Sequence, residues 1–155
     1  MMKMLIIEDD EKKLKNLKSY IGDNYEGLEV DVAMSYRTGL KKLNTNSYDL
    51  VLLDMSMPTY DKCLNEQGGI WEKFGGKKIL SEIKRKRIES KVIVVSMYDK
   101  FGEGKNADTL DEINVELSNN FPQIYLGKVF YSAKILSWKD NLKKFIDKFT
   151  ADFND

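Results

Sequence analysis

The chain has 155 residues, of which 42% are hydrophobic and 32% are charged, and its 25 basic residues balance 25 acidic ones. That length predicts about one domain, and the neutral balance gives no general attraction to nucleic acid or anionic lipid. There is no histidine and one cysteine, Cys63, which excludes histidine-based catalysis, histidine-ligated zinc and an internal disulfide. No apolar stretch approaches the roughly 20 residues of a membrane span, so we expect a cytoplasmic protein with neither membrane nor direct nucleic-acid binding.

Strand-like and helix-like segments alternate along the chain. The apolar runs typical of strands are residues 4–7, 28–33, 50–53, 92–95 and 129–133. Each is followed by apolar residues at helical spacing, and the clearest of these stripes is Leu142, Phe145, Ile146 and Phe149. Five strand–helix units in this order predict an α/β fold, in which helices cover both faces of a parallel sheet.

Two connections are unusually long. Residues 59–75 separate the third strand from its helix, and residues 100–107 follow the fourth strand. Connections of this length are uncommon in compact domains and are often functional. We predict one domain over residues 1–150, with these enlarged loops and a short tail at residues 151–155.

Acidic residues stand where two of the most apolar strands end. Glu8 and Asp9 follow the first strand, and Asp54 follows the third. Open α/β sheets carry their chemistry at this edge, and neighbouring strands would bring the three carboxylates together. Clustered carboxylates repel one another and commonly hold a hard cation such as Mg²⁺. The alternatives are local: Asp54 could cap a turn before Pro58, and Asp10 could cap the first helix.

Three segments together resemble a known family. They are Leu-Ile-Ile-Glu-Asp-Asp at residues 5–10, Tyr-Asp-Leu-Val-Leu-Leu-Asp-Met-Ser-Met-Pro at 48–58, and Val-Ile-Val-Val-Ser at 92–96. The ordered set is similar to the receiver domain of bacterial two-component response regulators, in its stand-alone, chemotaxis-type form. That resemblance implies a flavodoxin-like, doubly wound sheet of five parallel strands in the order 2-1-3-4-5.

The resemblance also implies a metal and phosphoacceptor site. Asp54 would accept the phosphoryl group, and Ser96 would bind one of its oxygens. Mg²⁺ would be held by Glu8, Asp9 and Asp54, together with the backbone carbonyl of Ser56.

A lysine and an aromatic residue complete the family's site. Lys134 is the favoured phosphate-binding lysine, and Tyr131, three residues before it, matches the aromatic switch position that would respond to Ser96. Lys128 is the alternative lysine. Neither lysine precedes proline, although the family usually has a Lys-Pro step, so Lys134, Lys128 or neither remains open.

By this resemblance the chain would be a phosphorylatable signalling switch of a two-component phosphorelay. It would form an aspartyl phosphate and alter a partner-binding face. A sensor histidine kinase or histidine phosphotransfer protein would supply the missing histidine, and a downstream protein effector would read the result. Enzymatic activity would be limited to self-phosphorylation from a phosphodonor and autodephosphorylation. The alternative is a pseudo-receiver, a phosphorylation-independent protein-interaction module that uses the two long loops.

Overall fold

The computed structural model describes residues 2–62, 69–101 and 108–154. Its strands are β1 (Lys3–Ile7), β2 (Glu29–Ala33), β3 (Leu50–Leu53), β4 (Met57–Pro58), β5 (Trp71–Glu72), β6 (Lys91–Ser96), β7 (Lys100–Phe101), β8 (Asp108–Thr109) and β9 (Tyr125–Phe130). Its helices are α1 (Glu11–Asn24), α2 (Tyr36–Thr45), α3 (Gly75–Arg85), α4 (Leu110–Asn120) and α5 (Ser137–Asn154).

Five strands form one parallel sheet in the order β2-β1-β3-β6-β9. This is the flavodoxin-like order 2-1-3-4-5 of the long strands, so the predicted fold is confirmed. Ile7 at the end of β1 pairs with Leu53 at the end of β3, and Leu53 pairs with Val94 of β6. The carboxyl ends of these three strands therefore lie at nearly the same height.

Alternate residues of the central strands pack on opposite faces of the sheet. Leu5 and Leu53 belong to a core formed with α2, α3 and α4. Ile6 and Leu52 belong to a second core formed with α1 and α5. The central strands read as continuous apolar runs because both of their faces are buried.

Three helices begin at residues whose side chains accept a backbone hydrogen bond. Asp10 caps α1 by accepting from the N–H of Lys13 at 2.9 Å, as the sequence suggested. Ser35 and Thr109 cap α2 and α4 in the same way. Such a cap satisfies one of the free N–H groups of the first turn, and at α1 it fixes the direction in which the helix leaves the strand ends.

The last strand ends earlier than predicted. The apolar pattern indicated residues 129–133, but β9 ends at Phe130, which pairs with Ser96, the last residue of β6. The N–H of Tyr131 still donates to the Ser96 carbonyl at 2.8 Å. Beyond that bond the neighbouring strand offers no partner, so residues 132–136 leave the sheet.

The last helix extends into the segment that was predicted as a tail. Helix α5 continues to Asn154, and the rings of Phe149 and Phe153 lie 5.8 Å apart, one helical turn from each other. Among the described helices, none combines the length and apolar character needed to cross a membrane.

A pair of short antiparallel strands forms across each predicted long loop, and one strand of each pair lies just outside the predicted bounds. In the first, Met57 pairs with Glu72 and Pro58 with Trp71. In the second, Lys100 pairs with Thr109. The middle of each loop, residues 63–68 with Cys63 and residues 102–107, lies outside the described residues.

Candidate functional site

Three carboxylates converge where β1 and β3 end. Glu8 and Asp9 follow β1, Asp54 follows β3, and the two strands are neighbours in the sheet. Each residue offers an oxygen within 4.8 Å of the others. The structure thus brings together the acidic residues that the sequence indicated, in a donor set whose chemistry suits a hard divalent cation.

Asp54 is held firmly by its surroundings, with 3% of its surface exposed. Its Oδ1 accepts the N–H of Met55 at 2.7 Å, and its own N–H donates to the Ile7 carbonyl at 3.2 Å. The start of α3 lies directly against its backbone, since a Cβ on Gly76 would approach the Asp54 carbonyl oxygen to 2.7 Å.

An unexpected residue, Lys13, occupies the centre of this cluster. It extends from the first turn of α1 and is only 1% exposed. Its Nζ lies 2.5 Å from Glu8 Oε1 and 3.3 Å from Asp54 Oδ2, and it donates to the Val95 carbonyl at 2.6 Å. The ammonium therefore joins the ends of β1, β3 and β6.

The sequence contained a signal for Lys13 that was missed. Lysines flank it at positions 12 and 15, which makes the segment look like a solvated helix face. However, Lys13 lies one turn before Leu17 and two turns before Tyr20, both buried. Residues spaced by three or four share one face of a helix, so Lys13 had to point toward the sheet.

Burial and neighbouring charges shift the ionisation of this cluster in opposing ways. Burial raises the pKa of Glu8 and of Asp9, and the charge of Asp54 raises both further. Burial lowers the pKa of Lys13, but Asp54 and Glu8 outweigh it, and the net pKa is raised. Lys13 is therefore a stable cation that balances carboxylates which would otherwise repel one another. Among the described residues, no buried side-chain polar atom lacks a hydrogen-bond partner.

The two predicted serines lie beside this cluster with their hydroxyls engaged. Ser56 is buried two residues after Asp54, and its Oγ donates to the Lys73 carbonyl at 2.7 Å. Ser96 ends β6, the strand beside β3, and its Oγ lies 3.1 Å from both the N and the O of Tyr98. Each serine is thus tied to the loop that follows its strand.

The two candidate lysines of the last strand and its loop lie elsewhere. Lys134 is exposed between β9 and α5, and it takes part in none of the ion pairs found among the described residues. Lys128 lies in β9 with its Nζ 3.0 Å from Asp111 of α4. Neither is paired with the carboxylates near Asp54.

Tyr131 lies beside the acidic cluster rather than at the surface. It is buried, and its ring centroid is 5.9 Å from Lys13 Nζ and 5.1 Å from the Trp138 ring. Its hydroxyl accepts a hydrogen bond from the Asn16 side chain at 2.7 Å. The residue that directly follows the last strand therefore places an aromatic ring beside the Lys13 ammonium.

Comparison with known proteins agrees with the geometry. The family model for the response regulator receiver domain matches residues 4–111. The chain belongs to this family. The matched part of the receiver domain contains Glu8, Asp9, Lys13, Asp54 and Ser96, whereas the predicted lysines and the aromatic switch lie beyond it.

Two relatives align with nearly the whole receiver domain. The uncharacterized protein y4jR of Sinorhizobium fredii is 30% identical over 143 residues, which are 92% of this chain and 95% of that protein. The Detocs response regulatory protein DtcB of Enterobacter cloacae is 29% identical over 146 residues, covering 92% and 97%.

Solved receiver domains share the fold. The receiver domain of Francisella response regulator 1452 is 20% identical with a TM-score of 0.63, over 97% of this chain and 98% of that one. TrrA of Thermotoga maritima, solved in complex with Mg(2+)-BeF, is 23% identical with a TM-score of 0.58, over 94% and 99%. At these identities the likeness concerns the fold.

Proposed function

We propose that this receiver domain is a phosphorylatable signalling switch of a two-component phosphorelay, with Asp54 as the phosphoacceptor. One observation carries the proposal. Asp54 is a buried carboxylate with one oxygen fixed by the Met55 N–H and the other 3.3 Å from an ammonium, and two further carboxylates lie within 4.8 Å. A surface aspartate that only capped a turn would need none of these neighbours.

The chemistry is nucleophilic. An Asp54 carboxylate oxygen attacks phosphorus, the bond between phosphorus and the donor's leaving group breaks, and an acyl phosphate remains on the protein. Water later releases inorganic phosphate and restores the carboxylate. Because the chain contains no histidine, a phosphohistidine donor must come from a partner, either a sensor histidine kinase or a histidine phosphotransfer protein. We place this exchange in the cytoplasm.

The acidic cluster is suited to a metal ion that assists this transfer. Glu8, Asp9 and Asp54, with the backbone carbonyl of Ser56, would hold Mg²⁺. When bound, the ion supplies positive charge that offsets the repulsion between carboxylate and phosphoryl oxygens. The chain's own residues fix the acceptor: the Met55 N–H orients the Asp54 carboxylate, and Gly76 of α3 packs against the Asp54 backbone.

The signal would leave the site through β6. The Ser96 hydroxyl is bound to the backbone of Tyr98. A phosphoryl group on Asp54 offers this hydroxyl a new acceptor, and the loop after β6 would then lose its anchor. Tyr131, whose N–H is bound to Ser96, would respond by repacking. A downstream protein effector would read the altered surface near α4 and β9.

Intact mass spectrometry tests the proposal. The protein is incubated with Mg²⁺ and acetyl phosphate beside an Asp54→Asn variant, and Asp10→Asn serves as the matched control because asparagine also caps helices. We expect one added phosphoryl group in the wild type and in Asp10→Asn, and none in Asp54→Asn. Modification that persists in Asp54→Asn would disprove the assignment.

The second candidate is the phosphorylation-independent pseudo-receiver. It is favoured by the internal neutralisation of Glu8 and Asp54 by Lys13, and by the exposed apolar residues Ile70 and Trp71 on the first hairpin. A wild type that takes up neither a phosphoryl group nor Mg²⁺, measured by calorimetric titration, would favour this candidate.

A further inference from the structure

We propose that Lys13, in the first turn of helix α1, is the cation that binds the phosphoryl group on Asp54, in place of a lysine after the last strand. This inference rests on the proposed function. It names the residue that supplies the non-metal positive charge, a role for which the family resemblance in the sequence favoured Lys134.

The position of the ammonium is the first argument. Lys13 Nζ is 3.3 Å from Oδ2 of Asp54, whereas Oδ1 is occupied by the Met55 N–H. A phosphoryl group bonded at Oδ2 would place its oxygens close to this ammonium. Lysine is a compact cation on a flexible stem, so a small movement of the side chain transfers its contact from the carboxylate to the new anion.

The attachment of Lys13 is the second argument. Its backbone N–H is bound to Asp10, and its Nζ is bound to the Val95 carbonyl. Val95 directly precedes Ser96, the other predicted phosphoryl ligand. The Lys13 ammonium and the Ser96 hydroxyl are thus linked through adjacent residues of β6. Because the ammonium is already held in position, it needs little reorganisation when negative charge develops on the phosphoryl group.

The third argument is that another side chain already occupies the place through which a lysine after β9 would reach Asp54. A side chain directly after β9 would have to enter beside Lys13, but the buried ring of Tyr131 already occupies that place. Lys128 is paired with Asp111 on the α4 side, and Lys134 is exposed. Within the described residues, Lys13 is the cation paired with Asp54.

A merely structural role would account for the burial of Lys13 but not for an effect on phosphoryl binding. We therefore compare Lys13→Gln, which keeps a donor for the Val95 carbonyl and removes the charge, with the control Lys134→Gln. Beryllofluoride binding in the presence of Mg²⁺ is followed by fluorine NMR, initial phosphorylation by acetyl phosphate by intact mass, and Mg²⁺ affinity by calorimetric titration.

We expect Lys13→Gln to phosphorylate roughly 100-fold more slowly and to bind beryllofluoride much more weakly, as when one preorganised charge-stabilising group is removed. Its Mg²⁺ affinity should be equal or tighter, since a competing cation has been removed from the acidic cluster. Lys134→Gln should match the wild type. Adding Tyr131→Lys to Lys13→Gln should restore part of the rate, because the side chain at position 131 lies beside that of Lys13.

Equal rates and beryllofluoride affinities in Lys13→Gln and wild type would overturn the inference, and so would a large loss in Lys134→Gln.

If the wild type takes no phosphoryl group, the proposed function fails, and beryllofluoride still decides the role of Lys13. Binding by the wild type but not by Lys13→Gln supports it, whereas no binding by the wild type overturns it. If Lys13→Gln does not fold, the Lys13 ammonium resonance of the wild type decides: a shift on adding beryllofluoride supports the inference, and an unchanged resonance overturns it.

Discussion

Two regions at the same edge of the sheet differ in how their lysines are used. Over β1 and β3, Lys13 is buried and bound to three partners from three strand ends. After β9, Lys134 lies in an exposed segment beside Ile135 and Leu136, which are 64% and 57% exposed. The difference shows that the hydrogen-bond and ion-pair partners of a buried lysine decide where its ammonium lies. The position of a lysine in a family motif predicts this location less well.

The pairing of the strands explains the difference. The last backbone bond between β6 and the chain after β9 is made by Tyr131 to Ser96, so the residues that follow have no strand to guide them inward. Helix α1 instead begins directly above the strand ends, because Asp10 caps it one residue after Asp9. A side chain from its first turn can therefore reach the acidic cluster.

The largest expected effect concerns the anchor of the exposed segment. Trp138 is 1% exposed, and its ring lies 5.6 Å from that of Tyr20. We expect Trp138→Ala to lower the free energy of unfolding by about 3–5 kcal/mol, because a large cavity remains in the core. Urea unfolding measures this, with Leu136→Ala as the exposed control, expected within about 0.5 kcal/mol. A loss for Trp138→Ala no larger than the control would mean that the segment is not held at this end.

The next prediction tests the difference between Lys13 and Lys134 by measuring how much each side chain contributes to the free energy of unfolding. Lys13→Met leaves the buried carboxyl groups of Glu8 and Asp54 without their cation, so that each must stay charged in the core or take up a proton. We therefore expect a loss of about 3 kcal/mol in the free energy of unfolding. Lys134→Met should change it by less than about 0.5 kcal/mol. Both are measured by urea unfolding without Mg²⁺. Similar values for the two variants would remove the distinction between the two regions.

A smaller effect concerns the boundary between the regions. Tyr131→Phe removes the hydrogen bond from Asn16 and keeps the ring against Trp138, so we expect a loss of about 1 kcal/mol. Asn16→Ala should cost a similar amount. In a double-mutant cycle the two losses should not add, because both variants break the same bond. Fully additive losses would show that the bond contributes nothing to stability.

The smallest expected effect concerns the pH dependence of stability at Asp147, a partly exposed residue of α5 outside both regions. It serves as a reference for what a surface ion pair contributes. The hydrogen bond from Lys143 lowers the pKa of Asp147 and outweighs the opposing effect of burial, and a weaker contribution from the Tyr25 hydroxyl lowers it further. A carboxyl with a lowered pKa stabilises the fold above its unfolded pKa and loses this contribution as pH falls through its folded pKa. Acid unfolding of Asp147→Asn should show a slightly shallower loss of stability in that range, and the difference should shrink in high salt because the pair is exposed. An effect that salt leaves unchanged would contradict this.

The fold followed from the sequence because its central strands are unambiguous. Residues 50–53 and 92–95 are apolar without interruption, as expected for strands buried on both faces, and acids mark the ends of β1 and β3. The edge strand was harder to delimit. In β9 buried and exposed residues alternate, and its end at Phe130 is set by its pairing with Ser96, which no local pattern contains.

The sequence predicted only part of the candidate site, namely the residues that the strand ends place. Glu8, Asp9 and Asp54 are placed by strand ends, so sequence alone indicated their convergence. Lys13 is placed by the rotation of α1 about its axis, which is set by packing of Leu17 and its neighbours. A lysine among other lysines gives no compositional signal, and only its helical spacing from buried residues distinguishes it.

Gly76 has a practical consequence for following the proposed switch in solution. Its N–H donates to the Met55 carbonyl at 2.9 Å, and the absence of a side chain leaves the backbone of Asp54 in direct contact. Glycine amides occupy a sparsely populated region of a nitrogen–proton NMR spectrum. The Gly76 resonance is therefore a natural sensor of the state of Asp54, and it could be read in a mixture with a kinase without any label attached to the protein surface.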